Sequence, residues 1–181
     1  MGNQTSQLLP KDPDFAKFVH FSPIEIREWS NTFKMLFPNG KMTLKDLEDF
    51  YSKLFPFGKV NSFCRRLFQN INISQSTQID INELLIAFTI LFKGSPFEKL
   101  RWIFRFYDFD NDGVVSKEDL GKGLSIVNEM VSNAVFTELD SKKLVDEIFL
   151  IVQNQSGFLT LNDFEIIASN YPEKLKKISF L

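Results

Sequence analysis

Asp108, Asp110 and Asp112 stand at alternate positions and are followed at once by Gly113. Alternation in a tight loop wraps three carboxylates round one point, which suits a hard cation that takes about six to eight oxygens. Gly113 allows the sharp turn after them, and the Val114 carbonyl follows as a fourth oxygen. Ser116 can hold a bridging water, and Asp119 can close the cage from the first turn of a following helix. The segment matches D-x-[DN]-x-[DN]-G-x5-E at every fixed position except the last, where Asp119 replaces Glu. The expected metal is calcium, with magnesium as a competitor. Aspartate is one methylene shorter than glutamate, so bidentate contact is harder and six-coordinate geometry is favoured.

Other chemistries lack residues. One cysteine, Cys64, excludes an internal disulfide and fits a cytosolic compartment. One histidine, His20, and that cysteine cannot build a zinc site, and a Ser-His-Asp triad would have to use His20. No phosphate-cradling glycine motif is present, so the chain reads as a non-enzyme. Lys and Arg total 21 against 23 Asp and Glu, a balance that argues against a nucleic-acid partner. The longest apolar run, Leu84 to Phe92, is far short of the roughly 20 residues of a membrane span.

The loop is one of four. Taking its glycine as the marker gives Gly40, Thr77, Gly113 and Gly157, spaced 37, 36 and 44 residues apart. Two positions on, Met42, Ile79, Val115 and Leu159 are all apolar, as bridging residues between paired loops must be. The closing acid recurs as Asp46, Glu83, Asp119 and Asp163. The ligands do not recur. The first loop offers Met35 and Phe37 where oxygens are needed and its turn is distorted by Pro38, and the fourth begins with Val152. The second has neutral Asn72, Ser74 and Ser76, a β-branched Thr77 at the turn, and charge only from Asp80 and Glu83. One loop is thus competent, one is doubtful and two are dead.

Helix signals flank every loop. Ser22-Pro23-Ile24-Glu25 and Ser95-Pro96-Phe97-Glu98 are capping boxes with Pro at the first helical position, and Phe21 and Ile26 are placed as a hydrophobic staple. Thr43–Asp46, Asp80–Glu83, Ser116–Asp119 and Thr160–Asp163 start the outgoing helices. Apolar residues then recur at three and four spacing, as in Leu100, Ile103, Phe104 and Tyr107. The expected fold is all-α: four helix-loop-helix units of the EF-hand type, paired into two lobes, with short β-bridges between paired loops. The expected division is an arm at 1–20, a lobe with two degenerate loops at 21–94, a lobe with the competent loop at 95–170, and a tail at 171–181. Gly94 ends one helix and Ser95 caps the next at the lobe boundary.

The chain opens Met1-Gly2-Asn3-Gln4-Thr5-Ser6, the pattern for myristoylation of Gly2 once Met1 is removed. A single acyl chain gives marginal affinity, about 10⁴ M⁻¹. Lys11 is the only base in the first sixteen residues, so reversible membrane association is expected.

Several strings together carry a resemblance to the neuronal calcium sensor family. They are the Met-Gly-x-x-x-Ser start, Phe37-Pro38-Asn39-Gly40, Tyr51-Ser-Lys-Leu-Phe55-Pro56-Phe57-Gly58, and Gly94-Ser-Pro-Phe-Glu98-Lys99-Leu100-Arg-Trp102. Asp119 and the ending Asn170-Tyr-Pro172…Phe180-Leu181 are similar to the calcineurin B and calcium-and-integrin-binding relatives. The resemblance implies an N-myristoylated cytosolic regulator, peripherally attached to membranes, that binds a helical segment of a kinase, channel, cyclase or exchange factor. It also implies an apolar groove in the first lobe. Trp29, Phe33, Phe50, Tyr51, Phe55, Phe57, Phe88 and Phe92 lie there at helical spacing, and 21 Phe are generous for a core of this size. The alternative is a constitutive structural subunit or adaptor whose one site is permanently filled. Neither loop of the first lobe is a good site. Either that lobe is permanently open, or the third loop acts on it through the lobe interface. Leu175, Ile178, Phe180 and Leu181 have the spacing to lie in the groove as a stand-in ligand.

Overall fold

The computed structural model describes residues 20–131, 138–152 and 157–180. Ser22 and Glu25 close a capping box at the start of α1 (Pro23–Leu36), and β1 (Lys41–Met42) and α2 (Leu44–Leu54) follow. Next come α3 (Asn61–Ile71), β2 (Ile79–Asp80) and α4 (Ile81–Phe88), which runs into a π-helical turn over Thr89–Lys93. The second half holds α5 (Pro96–Tyr107), β3 (Val115–Ser116), α6 (Lys117–Val131), α7 (Glu138–Val152), β4 (Phe158–Leu159), α8 (Leu161–Asn170) and α9 (Pro172–Ile178). The all-α fold expected from the sequence is the one observed. One helix was not foreseen: α9 lies in the tail and begins on Pro172.

The two-residue strands pair antiparallel as the repeat predicts. Met42 faces Ile79 and Val115 faces Leu159. All four side chains are buried, so each pair of loops is zipped at its centre by apolar contact as well as by backbone hydrogen bonds. Phe21 and Ile26 meet Leu85 in a small separate cluster, which is the staple at the entry to α1.

The two halves are not independent. One cluster of buried residues runs from Phe33 and Leu47 through Phe63 and Leu67 to Trp102, Phe106, Leu124 and Ile178. The connection after α2 packs onto the end of α6: the Lys59 amide donates to the Glu129 carbonyl at 2.8 Å. Gly58 lies so close that a β-carbon there would sit 1.7 Å from the Met130 carbonyl oxygen. Cys64 is fully buried, and burial pushes its thiol up to about 12, which fits a packing role. The tail is anchored by the Tyr107 hydroxyl, which donates to the Ile178 carbonyl at 2.7 Å, and by the buried Ile178 side chain.

Two glycine substitutions should separate close approach from open space. Gly58→Ala should cost roughly 1–3 kcal/mol by overpacking, lowering Tm by roughly 2–12 °C. Gly121→Ala meets nothing within 4 Å inside α6 and should stabilise by roughly 0.5–1 kcal/mol. Thermal unfolding followed by circular dichroism measures both.

Candidate metal loop and apolar groove

The loop at the end of α5 gathers its three aspartates. Among the described residues, Asp108, Asp110 and Asp112 form a group whose ligand atoms all lie within 4.8 Å of one another. The backbone holds them there. Asp108 accepts from the amides of Asp112 and Gly113 at 3.2 and 3.1 Å, and Asp112 accepts from the Val114 amide at 2.9 Å. Asn111 and Gly113 both take the left-handed conformation, at φ 60° and 87°, which curls the chain round the carboxylates. Asp108 is 5% exposed, and burial raises its carboxyl above the usual range against the opposing pull of its amide donors. No ion pair among the described residues reaches the three carboxylates. A hard divalent cation fits this donor set of oxygens, where it would offset three crowded negative charges.

Asp119 is occupied with a second task. Its Oδ2 accepts from the Ser116 amide at 3.1 Å and the Ser116 hydroxyl at 2.6 Å, while its own amide donates back to Ser116 Oγ at 3.0 Å. That is a capping box, and Asp46 with Thr43, Glu83 with Asp80 and Asp163 with Thr160 form the same one.

The other loops hold no such cluster among the described residues. In the second, the Asn72 side-chain oxygen accepts from the Ser76 amide at 3.1 Å and the Ser74 hydroxyl at 3.2 Å. The Asn72 side-chain nitrogen donates to the Ser76 carbonyl. Glu83 reaches back to the Ser74 amide at 2.9 Å. The loop thus satisfies itself. Gln75 is left-handed at φ 55°, but Thr77 is not, because a β-branched residue resists that region. Gly40 and Gly157 keep the left-handed turn of the first and fourth loops at φ 68° and 76°. Residues 153–156 of the fourth loop lie outside the described residues, as does Gly2.

A groove of about 650 Å³ opens in the first half of the chain. Trp29, Phe33, Phe50, Tyr51, Phe55, Phe88 and Phe92 line it, seven of the eight aromatics expected there. Phe57 does not: it is 90% exposed on the turn after α2, one residue before Gly58, where the chain has left the helical phase. Leu36, Phe50, Leu54 and Phe92 are each more than half exposed and form the lips. Trp29 and Phe88 pack at 4.9 Å between ring centres, and Tyr51 and Phe63 at 5.3 Å. Lys93 pairs with Glu25 at 2.7 Å, tying the π-helical turn to α1; that hydrogen bond and those from Ser22 hold the Glu25 carboxyl down at about 2. Thr32 and Asp46 are the polar lining residues, and Asp46 is already engaged by Thr43.

The groove also draws on residues that periodicity in the first half could not reveal. Trp102 and Met130 come from α5 and α6, and Phe180 from the tail. The tail was expected to lie in the groove, yet of its described residues only Phe180 lines it. Ile178 is buried and Leu175 packs on the common core, so these side chains are committed elsewhere; Leu181 lies outside the described residues. Phe180 sits 4.2 Å from Phe106 and 5.8 Å from Phe63, measured between ring centres.

Among the described residues no helix is long and apolar enough to cross a membrane. No family model matches the chain. It is 32% identical over 169 residues to "Neuronal calcium sensor 1" of Lymnaea stagnalis, covering 91% of this chain and 88% of that protein. It is 27% identical over 149 residues to "Recoverin" of Homo sapiens, covering 81% and 72%. It is 24% identical over 145 residues to "Guanylyl cyclase inhibitory protein" of Lithobates pipiens, covering 78% and 70%. With its zipped loop pairs, one carboxylate-rich loop and this near full-length similarity, the chain belongs to the neuronal calcium sensor family.

Proposed function

We propose that this chain is a non-catalytic calcium-responsive regulator that seats an amphipathic helix of a target protein in its groove. Targets of the expected kind are kinases, channels, cyclases and exchange factors. The observation that carries this reading is an open, almost wholly apolar groove with exposed aromatic lips. Exposed apolar surface of this extent needs a partner, and a cylinder of side chains at i, i+3, i+4 and i+7 fits a trough between helices. The ion is held by Asp108, Asp110, Asp112 and the Val114 carbonyl, with Ser116 through water. Asp119 contributes one oxygen, because Oδ2 stays on the Ser116 cap. A single oxygen lowers the ligand count, so magnesium competes. A myristoyl chain on Gly2 gives reversible attachment to membranes from the cytoplasm.

Calorimetry should find one principal calcium site, at or weaker than roughly 10⁻⁷–10⁻⁵ M. Asp108→Ala should abolish it and Asp119→Glu should tighten it; two strong sites would count against the assignment. A Trp fluorescence change on adding micromolar calcium in the presence of magnesium separates the sensor from a permanently filled adaptor.

The groove is tested with an amphipathic helical peptide. Phe50→Asp and Phe92→Asp, at exposed lips, should each weaken binding by about tenfold or more, as buried aromatic anchors do. Phe57→Asp should leave binding unchanged, since Phe57 does not line the groove.

Myristoylated protein should co-sediment partially with lipid vesicles, and Gly2→Ala should lose that fraction. Full sedimentation of the Gly2→Ala protein would refute acyl anchoring.

A further inference from the structure

Arg66 belongs to α3, in the half of the chain that holds no carboxylate cluster among its described residues, yet it reaches the metal loop. It is 4% exposed. Its Nε donates to the Phe106 carbonyl at 2.6 Å, and one terminal nitrogen donates to the Arg105 carbonyl at 2.5 Å and to the Asp108 carbonyl. These carbonyls end α5, where a helix leaves acceptors unsatisfied and carries partial negative charge. The guanidinium carbon lies 4.5 Å from the centre of the Phe109 ring, which Lys122 also approaches at 4.2 Å. Burial pulls the Arg66 proton affinity down, and the fields of Asp108 and Asp119 push it back up. The hydrogen bond to the Asp108 carbonyl places this buried charge beside the loop whose carboxylates an ion would take.

The same helix forms a wall of the groove. Phe63, Leu67 and Ile71 of α3 line it, and Phe63 packs on Phe106 at 5.6 Å between ring centres. One element thus touches the ion loop by a charge and the groove by its apolar face.

We propose that Arg66 couples the third loop to the groove: a divalent cation on Asp108, Asp110 and Asp112 weakens the guanidinium's hold on the end of α5 and frees α3 and its groove wall. This rests on the reading that the third loop binds calcium. The bound cation offsets two of the carboxylate charges whose field favours Arg66, and a buried guanidinium is little screened by salt. By linkage, an occupant of the groove changes calcium affinity by the same factor as calcium changes the occupant's.

Amide hydrogen exchange on the full chain, with and without saturating calcium, tests this. Amides of α3 should exchange at least threefold faster with calcium, while those of α5 and α6 slow. Arg66→Met, which keeps the apolar bulk, should bind calcium at least as tightly by calorimetry and lose the calcium effect on α3. Slower or unchanged α3 exchange in the wild-type chain with calcium bound overturns the proposal, whether or not Arg66→Met folds. An unaltered calcium effect in a folded Arg66→Met protein overturns it too. If calorimetry shows no calcium binding, the functional reading itself fails, and the coupling falls with it.

Discussion

A helix that begins inside a loop must find partners for its first amides, and in all four units one carboxylate on the third residue of the helix helps to do so. The same carboxylate stands where an ion needs its closing ligand. This double demand explains why Asp46 and Asp163 stand in loops that hold no carboxylate cluster among the described residues. Their retention reflects helix initiation, and the chain can shed calcium ligands freely so long as the cap and the bridging pairs survive. Met42 with Ile79 and Val115 with Leu159 are those pairs. Ligand loss and framework retention are thus two faces of one constraint.

Legibility in the sequence followed range. Capping boxes, the left-handed glycines and the alternating aspartates act over a few residues, and each was readable as a local pattern. The bridging pairs span about forty residues but recur at a fixed register, so repetition made them visible. Groove residues on one helix face were readable by their spacing. Phe57 was misread because the helix ends at Leu54 and its phase no longer holds beyond that point. Trp102, Met130 and Phe180 were missed because they enter the groove from another half of the fold, with no periodic signal to link them. Arg66 gave no signal either. A lone arginine in a helix usually lies in solvent, and only the tertiary packing of α3, which meets both α5 and α6, shows it to be buried. The helix in the tail had a cue in Pro172, at a first helical position, though the segment is too short for hydrophobic periodicity to show.

The groove belongs to neither half alone. Its walls come from α1 to α4, while part of its lining comes from α5, α6 and the tail. Phe180 illustrates the arrangement. The Tyr107 hydroxyl and the buried Ile178 fix the segment before it, and its ring packs on Phe106 and on Phe63 of α3 where it lines the groove. A change at the end of α5 therefore meets the groove at two points, through α3 and through the tail.

The seating of Gly58 against Met130 has a consequence for modularity. The turn after α2 has room for a hydrogen atom and no more, and the adjoining Lys59 amide is spent on a carbonyl of α6. A half cut from this chain would carry a raw apolar face and unanswered polar groups. A half grafted from a relative would need a glycine at this one place and a matching helix end opposite it. The two halves accordingly behave as one structural piece, in which exchanged loops would be tolerated far better than exchanged halves.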